Sequence, residues 1–160
     1  MGEFGQYVLG TSYPGGGLGD AGILALTYGF WPLYPGYINW SSNFISTVTG
    51  YELTAPPVGT WVCQNGATSG SSCGTVQATG VEIPETEADG TFLGYVDDTI
   101  EVVGTCTNLG DSGGPLTLAS STTAVGITNA ADSPGSCSSP DFFTPVNDAL
   151  GYFAVQLVVG

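Results

Sequence analysis

Short runs of Val, Ile, Thr and Tyr recur along the 160 residues of this chain, and Gly, Pro, Asn and Ser interrupt them. Helical periodicity is poor, and the 26 glycines leave few stretches suited to a long helix. Runs of β-branched and aromatic residues bounded by turn formers are typical of short antiparallel strands. Because 42% of the residues are hydrophobic, the chain can build the core of one domain or of two small ones. The pattern predicts an all-β fold.

The runs predict strands at residues 5–13 and 20–27 and again from about residue 58 onward. Residues 28–37 are rich in aromatic residues and Pro, and we interpret them as a segment that crosses the fold rather than as a ligand platform. The acidic residues 82–89 are predicted to form a solvated loop, and Asn147 to cap a short C-terminal helical turn. The later strands are predicted at residues 58–63, 73–81, 91–96, 99–104, 115–118, 123–128 and 141–146.

The charge of the chain is entirely acidic. Only 9% of the residues are charged, and the net charge is −14 with no Lys, Arg or His. Nucleic acid and anionic membrane surfaces are therefore excluded as partners, because no side chain can neutralise a phosphate. No apolar stretch is long enough to cross a bilayer, and residues 1–10 lack the basic start and apolar core of a secretory signal. Three explanations of the acidity stay open: solubility, tolerance of low pH, and resistance to trypsin-like enzymes.

The four cysteines fall into two local pairs. Cys63 and Cys73 flank a loop rich in Gly and Ser, whereas Cys106 and Cys137 flank the sequence Gly-Asp-Ser-Gly-Gly-Pro at residues 110–115. A zinc site is disfavoured, because the chain has no Cys-x-x-Cys motif and no histidine. The arrangement favours two structural disulfides in a secreted protein, and we expect neither a metal nor a cofactor.

Several segments, in order along the chain, carry a resemblance to one family. They are VLGT at residues 8–11, DAGIL at 20–24, Cys63 through CGTV at 73–76, Cys106 through Pro115, AVGIT at 124–128 and FFTPV at 142–146. With these segments, the chain from residue 6 to its end resembles the streptogrisin and alpha-lytic protease branch of the chymotrypsin-fold serine proteases. The resemblance implies two six-stranded antiparallel β-barrels with an active site between them.

The resemblance also implies roles for particular residues. Ser112 is the expected nucleophile, and Asp20 is the expected aspartate of the catalytic triad. The backbone N–H groups of Gly110 and Ser112 are expected to form the oxyanion hole. The disulfides implied are Cys63–Cys73 and Cys106–Cys137. The residues expected to line the strand that binds a peptide substrate are Thr128, Asn129, Ala130 and Ala131.

The chain departs from this family at its first barrel. The family's catalytic histidine lies in strands that precede the part matched from residue 6, and no histidine is present here. We therefore expect residues 1–54 to form a remnant of the first barrel with the crossing segment, and residues 55–160 to form a complete second barrel. A serine hydroxyl needs an adjacent base to act as a nucleophile at neutral pH, and here only Asp20 is a nearby candidate.

Three further positions differ from the family. Asn129 stands where a serine usually binds the triad aspartate, and Ala131 stands where a glycine lets the substrate backbone pair. Gln64 stands where a buried arginine usually pairs with the aspartate equivalent to Asp111. Because Gln64 carries no charge, we expect Asp111 either to bind backbone donors or to become protonated on burial.

These observations predict a secreted protein of the serine endopeptidase family that is inactive alone. Its expected partners are a peptide or protein substrate or ligand, together with a complementing N-terminal fragment or a second copy of the chain. Three hypotheses stay open: an enzyme completed by a histidine from another polypeptide, a non-catalytic pseudoprotease or binding module, and an engineered scaffold. The substrate class is not predicted, because the loops around residues 107–109 and 130–136 match no recognised specificity.

Overall fold

A computed structural model describes residues 6–11, 21–25, 36–41, 44–86 and 90–160 of the chain. Its elements, in chain order, are β1 (Gln6–Thr11), β2 (Ala21–Ala25), β3 (Tyr37–Ser41), β4 (Phe44–Thr47), β5 (Gly50–Tyr51), β6 (Trp61–Gly66), β7 (Gly70–Thr86), β8 (Phe92–Val103), β9 (Pro115–Leu118), β10 (Thr123–Ala131), β11 (Pro140–Pro145) and α1 (Val146–Phe153). The prediction of an all-β fold is confirmed. Among the described residues, no helix is long and apolar enough to cross a membrane.

Six strands close into a barrel. Their order is β11-β8-β7-β6-β9-β10, and β10 pairs again with β11, so that the first and last strands meet. All six neighbouring pairs are antiparallel. The two-residue strand β5 adds to β10 in the parallel direction. Closure leaves this barrel without an open edge along most of its length.

The barrel interior is filled by alternate residues of its strands. The fully buried cluster consists of Val62, Val76, Ile100, Val102, Leu116, Val125 and Phe143. Since successive side chains of a strand point to opposite faces, the inner positions are apolar while many outer ones are polar. Burial of each such side chain stabilises the fold by roughly 1.5–3 kcal/mol.

The described residues before residue 55 include two two-stranded ribbons. Strands β1 and β2 pair antiparallel, near the two predicted strands, and β3 pairs antiparallel with β4. The sequence analysis did not predict β3, β4 or β5. A second buried cluster of Ile38, Val48, Ala124 and Val146 joins this part of the chain to β10 and α1. The C-terminal tail also contacts it, because the Gly36 N–H donates to the Val158 carbonyl and the Gly160 N–H to that of Val48.

Two local predictions are wrong. The acidic run continues as strand β7 as far as Thr86, and Ile83 is buried opposite Val96 of β8. The alternation of exposed Glu82 with buried Ile83 decides the strand, because a carboxylate on the outer face costs little. The remaining residues 87–89 of that run, and nearly all of the crossing segment 28–37, lie outside the described residues.

Asn147 is not the cap of the helix. Strand β11 runs directly into α1, so that Pro145 occupies the N-cap position and no side chain caps the helix. The Asn147 side chain instead donates a hydrogen bond of 2.7 Å to Asp148 Oδ1. A left-handed residue, Ala154, ends the helix.

Candidate active site

Ser112 lies exposed in a loop between β8 and β9 that carries the Gly-Asp-Ser-Gly-Gly-Pro sequence. Gly110 has φ +93°, a backbone conformation that glycine adopts without strain. The loop is also fixed to β10, because the Gly113 N–H donates to the Thr128 carbonyl and the Thr128 N–H to that of Gly114. The serine is therefore presented to solvent on a turn whose two sides are held by the barrel.

Asp111 holds this loop from the inside. Its side chain is 1% exposed, and its Oδ1 accepts the backbone N–H groups of Thr68 at 2.7 Å and Ser69 at 3.0 Å. Its Oδ2 accepts the backbone N–H of Asn108 at 2.8 Å. These contacts tie the loop to the β6–β7 turn, 42–43 residues earlier in the chain.

The charge of Asp111 is stabilised by these donors. Burial raises the pKa of Asp111, but hydrogen bonds from the Ser69 hydroxyl and from the backbone of Ser69, Asn108 and Thr68 outweigh burial, and the pKa lies below its ordinary value. The alternative that burial protonates Asp111 is therefore wrong. Gln64 does not replace the family's arginine, since its amide donates to Ser72 Oγ at 3.1 Å and to the Thr105 carbonyl at 3.2 Å.

The expected oxyanion donors are available in this conformation. Within the described part of the chain, the backbone N–H groups of Gly110 and Ser112 donate no hydrogen bond. Preorganised N–H groups of this kind can stabilise the oxyanion of a tetrahedral intermediate. Asp20 lies outside the described residues, so that its position relative to Ser112 is not described.

The expected substrate-binding residues form the end of β10. Thr128, Ala130 and Ala131 pair with β11, and Asn129 lies at a register shift between them. Among the described residues no strand pairs with the other side of residues 129–131. The Asn129 side chain donates to Thr144 Oγ1 at 3.2 Å on the neighbouring strand. The backbone of this segment is thus exposed along one edge beside the nucleophile loop.

Both expected disulfides are present. Cys63–Cys73 joins directly opposite residues of β6 and β7, and Cys106–Cys137 joins the start of the nucleophile loop to the segment before β11. The described part of the chain brings together no three His, Cys, Asp or Glu side chains as candidate metal ligands.

The sequence analysis missed one residue of this region, Asp141. Its side chain is fully buried, and its Oδ2 accepts the Thr105 hydroxyl at 2.6 Å and the Thr107 N–H at 3.0 Å. Among the described residues, nothing forms a hydrogen bond with Oδ1. The signal was an isolated acidic residue at the start of a predicted core strand, where an apolar residue is expected.

Comparisons with known proteins agree with this architecture. A sequence profile of the family described as Trypsin matches residues 36–152. Streptogrisin-C of Streptomyces griseus is 34% identical over 113 residues, which cover 69% of this chain and 22% of that protein. The chain thus spans less than a quarter of the length of this curated relative.

Solved structures share the fold. The chymotrypsin of Cellulomonas bogoriensis superposes with a TM-score of 0.77 at 29% identity, covering 98% of this chain and 76% of that one. Protease A of Thermobifida fusca superposes with a TM-score of 0.73 at 31% identity, covering 94% of this chain and 75% of that one. The chain belongs to the trypsin family of serine proteases and is of the streptogrisin type within the chymotrypsin fold.

Proposed function

We propose that this chain carries the nucleophile half of a serine endopeptidase site, with Ser112 as nucleophile, Asp20 as triad aspartate and a histidine supplied by another polypeptide segment. The observation that carries the proposal is that hydrogen bonds hold the loop around Ser112 in one conformation. Asp111, with three backbone N–H donors, holds the loop without any contribution from a base. Organised oxyanion donors beside an exposed serine support acyl transfer chemistry.

The chain alone is expected to be inactive. No histidine, lysine or arginine exists in it to accept the Ser112 proton. Loss of the triad base lowers turnover by about 10⁶-fold in a related mechanism. Within the chain, we consider direct action of Asp20 as the alternative base.

Chemical rescue by imidazole tests this proposal. We expect a fluorophosphonate probe to label Ser112 slowly at pH 7, and added imidazole to accelerate the labelling as a substitute base. Ser112→Ala should abolish the signal, whereas Ser120→Ala, at an exposed serine outside the loop, should leave it unchanged. Rapid stoichiometric labelling without imidazole would show that a base is already present.

The partner that supplies the histidine is expected to cover the ribbon β3–β4. Phe44 and Ile45 on this ribbon are each 61% exposed. Strand addition is a common way to cover the open edge of a two-stranded ribbon. Sedimentation at pH 7 tests the need for a partner: self-association shows that a second copy, which carries no histidine and cannot complete the site, covers exposed surface, while a stable monomer with no tendency to associate contradicts the need for a partner.

A second candidate function is peptide binding without catalysis. The open edge of residues 129–131 favours it, because an extended peptide could pair there by β-augmentation whether or not Ser112 reacts. Failure of imidazole to accelerate labelling, together with unchanged peptide binding by Ser112→Ala, would favour this pseudoprotease hypothesis. The two disulfides fit secretion of either kind of protein into an oxidising environment.

A further inference from the structure

We propose that the outer face of the barrel binds a neutral carbohydrate, with Trp61 as the platform on which a sugar ring stacks. Trp61 is the first residue of β6, and its side chain is 56% exposed, whereas the next residue, Val62, points into the barrel core. The indole lines a cavity of about 570 Å³ on this face. A cavity of that size lies within the range of sites for small ligands.

The backbone of Trp61 is fixed on both sides. Trp61 lies directly opposite Thr75 of β7, and its carbonyl accepts the Ala119 N–H at 3.0 Å on the other side. Two residues further along the same outer face, Cys63 is joined to Cys73 by a disulfide. The platform is therefore held by the barrel in the free chain, and little of the binding free energy is lost in ordering it.

Unpaired polar groups lie beside this platform. Within the part of the chain that the structure describes, neither the Trp61 indole N–H nor the Thr60 hydroxyl makes a hydrogen bond, and both residues line the cavity. The half-buried Trp40 differs, because its indole N–H donates to Ser46 Oγ at 2.5 Å. Trp61 thus presents an apolar ring next to a free donor, and Thr60 adds a group that both donates and accepts.

The charge of the cavity indicates the class of ligand. The chain has a net charge of −14, yet none of the described residues that line the cavity is charged. An anionic ligand is repelled by the chain and meets no cation here. A cationic ligand that entered the cavity would lose water and gain no carboxylate partner. The cavity therefore fits a neutral ligand that has both apolar and hydroxyl surfaces.

A pyranose ring has both of these surfaces. Its C–H groups form an apolar face that packs flat on an aromatic ring, while its hydroxyl groups donate and accept hydrogen bonds around the edge. The disulfide Cys63–Cys73 and Leu118 line the cavity beside the indole and extend the apolar surface. Chains of β-1,4-linked glucose present such flat faces repeatedly, so that cellotetraose is a suitable probe.

The cavity lies away from the nucleophile loop. Trp61 begins β6 and Gly66 ends it, and only Gly66 lies against Asp111. Five residues of extended strand separate these two ends of β6 by about 17 Å. A sugar in the cavity therefore leaves Ser112 accessible. The inference goes beyond the proposed function, because this site would attach the chain to a neutral polysaccharide whether or not Ser112 reacts.

Calorimetry of the full chain with cellotetraose at pH 7 tests the proposal. We expect binding with the same affinity at low and at high salt concentration, because no charge takes part. Tetramethylammonium is the comparison probe, since a cation can also bind to the face of an indole. Absence of cellotetraose binding, or binding of tetramethylammonium in its place, would overturn the proposal.

Variants of the two tryptophans locate the binding. Trp61→Ala should weaken cellotetraose binding at least about tenfold, the size expected when the central aromatic contact of a small site is removed. Trp61→Tyr keeps an aromatic ring and should retain more of the affinity. Trp40→Phe, which changes an indole outside the cavity, should leave the affinity unchanged. Unchanged binding by Trp61→Ala, or an equal loss in Trp40→Phe, would exclude this site.

The thermal unfolding of Trp61→Ala checks that the variant is folded. Because the side chain is more exposed than buried, we expect a melting temperature close to that of the wild type. Should Trp61→Ala fail to fold, Thr60→Val provides a second test, since it removes only the unpaired hydroxyl. Thr60→Val should weaken cellotetraose binding severalfold, and unchanged affinity in this variant would then reject the site.

Discussion

A Cβ atom on Gly66 would overlap the carboxyl group of Asp111. Gly66 ends strand β6, and its lack of a side chain lets the buried carboxylate lie against the strand while it binds the β6–β7 turn. The nucleophile loop is therefore positioned by a close approach between two parts of the barrel, and the sequence around Ser112 alone does not contain this contact.

Gly66→Ala is expected to destabilise the fold and disturb the loop. The new methyl group meets a carboxyl group held by three hydrogen bonds, so that relief requires movement of the loop, at a cost of roughly 1–3 kcal/mol. Thermal unfolding measures the change. Gly50→Ala is the control, because a Cβ at that position meets nothing within 4 Å. Equal melting temperatures for the two variants would contradict the close approach.

Asp111→Asn should lower stability in a pH-dependent manner. The pKa of Asp111 is lowered in the fold, so that its carboxylate contributes stability above the unfolded pKa of about 3.9, and this contribution is lost as the pH falls through the folded pKa. An asparagine amide would also point a donor at one of the N–H groups. We expect a loss of about 2 kcal/mol at pH 7 that shrinks below about pH 4.

Chemical denaturation of wild type and Asp111→Asn between pH 3 and pH 7 measures this difference. Asp132→Asn removes an equal charge at an exposed site and serves as the control. A difference between wild type and Asp111→Asn that stays constant over the whole pH range would show that the carboxylate charge is not what stabilises the loop.

Removal of the two disulfides should have unequal effects. The loop closed by Cys106–Cys137 spans 31 residues, and that closed by Cys63–Cys73 spans 10. The loss of chain entropy in the unfolded state then stabilises the fold by about 4 kcal/mol for the first disulfide and about 3 kcal/mol for the second. Cys63 and Cys73 also face each other across a continuous pair of strands, which remains after reduction. Denaturation compares the two double variants in which one cysteine pair is replaced by serines. Replacement of Cys106 and Cys137 should cause the larger loss in the free energy of unfolding. It should also weaken the labelling of Ser112 in the presence of imidazole.

The strands of the barrel were predictable from the sequence because apolar and polar residues alternate clearly along them. Strand β9 was predicted with its observed bounds, and β10 was predicted three residues too short. The long hairpin was harder, since Asp98, with φ +58°, marks an irregularity inside β8 that resembles a turn between two strands. The acidic charge of residues 82–86 favours a loop, whereas the alternation of exposed Glu82 with buried Ile83 is what the strand β7 follows.

The candidate site was predictable as a motif but not as a set of contacts. Ser112 and Gly110 follow from one hexapeptide, whereas two of the three backbone donors to Asp111 come from a turn more than forty residues away. Asp141 shows the same limit more clearly. The hydrogen bonds to its Oδ2 come from Thr105 and Thr107, which lie more than thirty residues earlier in the chain, so that no local sequence pattern predicts them.

Asp98→Asn is expected to stabilise the fold at neutral pH. Burial raises the pKa of Asp148, and the charge and hydrogen bond of the neighbouring Asp98 raise it further. A hydrogen bond with Asn147 lowers it by less. A raised carboxyl pKa favours the fold at low pH, and this advantage is lost as the pH rises through the folded pKa, so that the pair is unfavourable at pH 7. Asparagine also tolerates the left-handed backbone of this position.

Thermal unfolding at pH 7 and pH 3 measures the effect of Asp98→Asn. The gain at pH 7 should be less than about 1 kcal/mol, because solvent screens a pair that is largely exposed, and it should vanish at pH 3, where the Asp148 carboxyl, whose pKa is raised, has lost its charge. Asp132→Asn, which lowers the net charge equally, should give a smaller gain at pH 7. An equal gain in both variants would assign the effect to the overall net charge of −14 and not to the contact between Asp98 and Asp148.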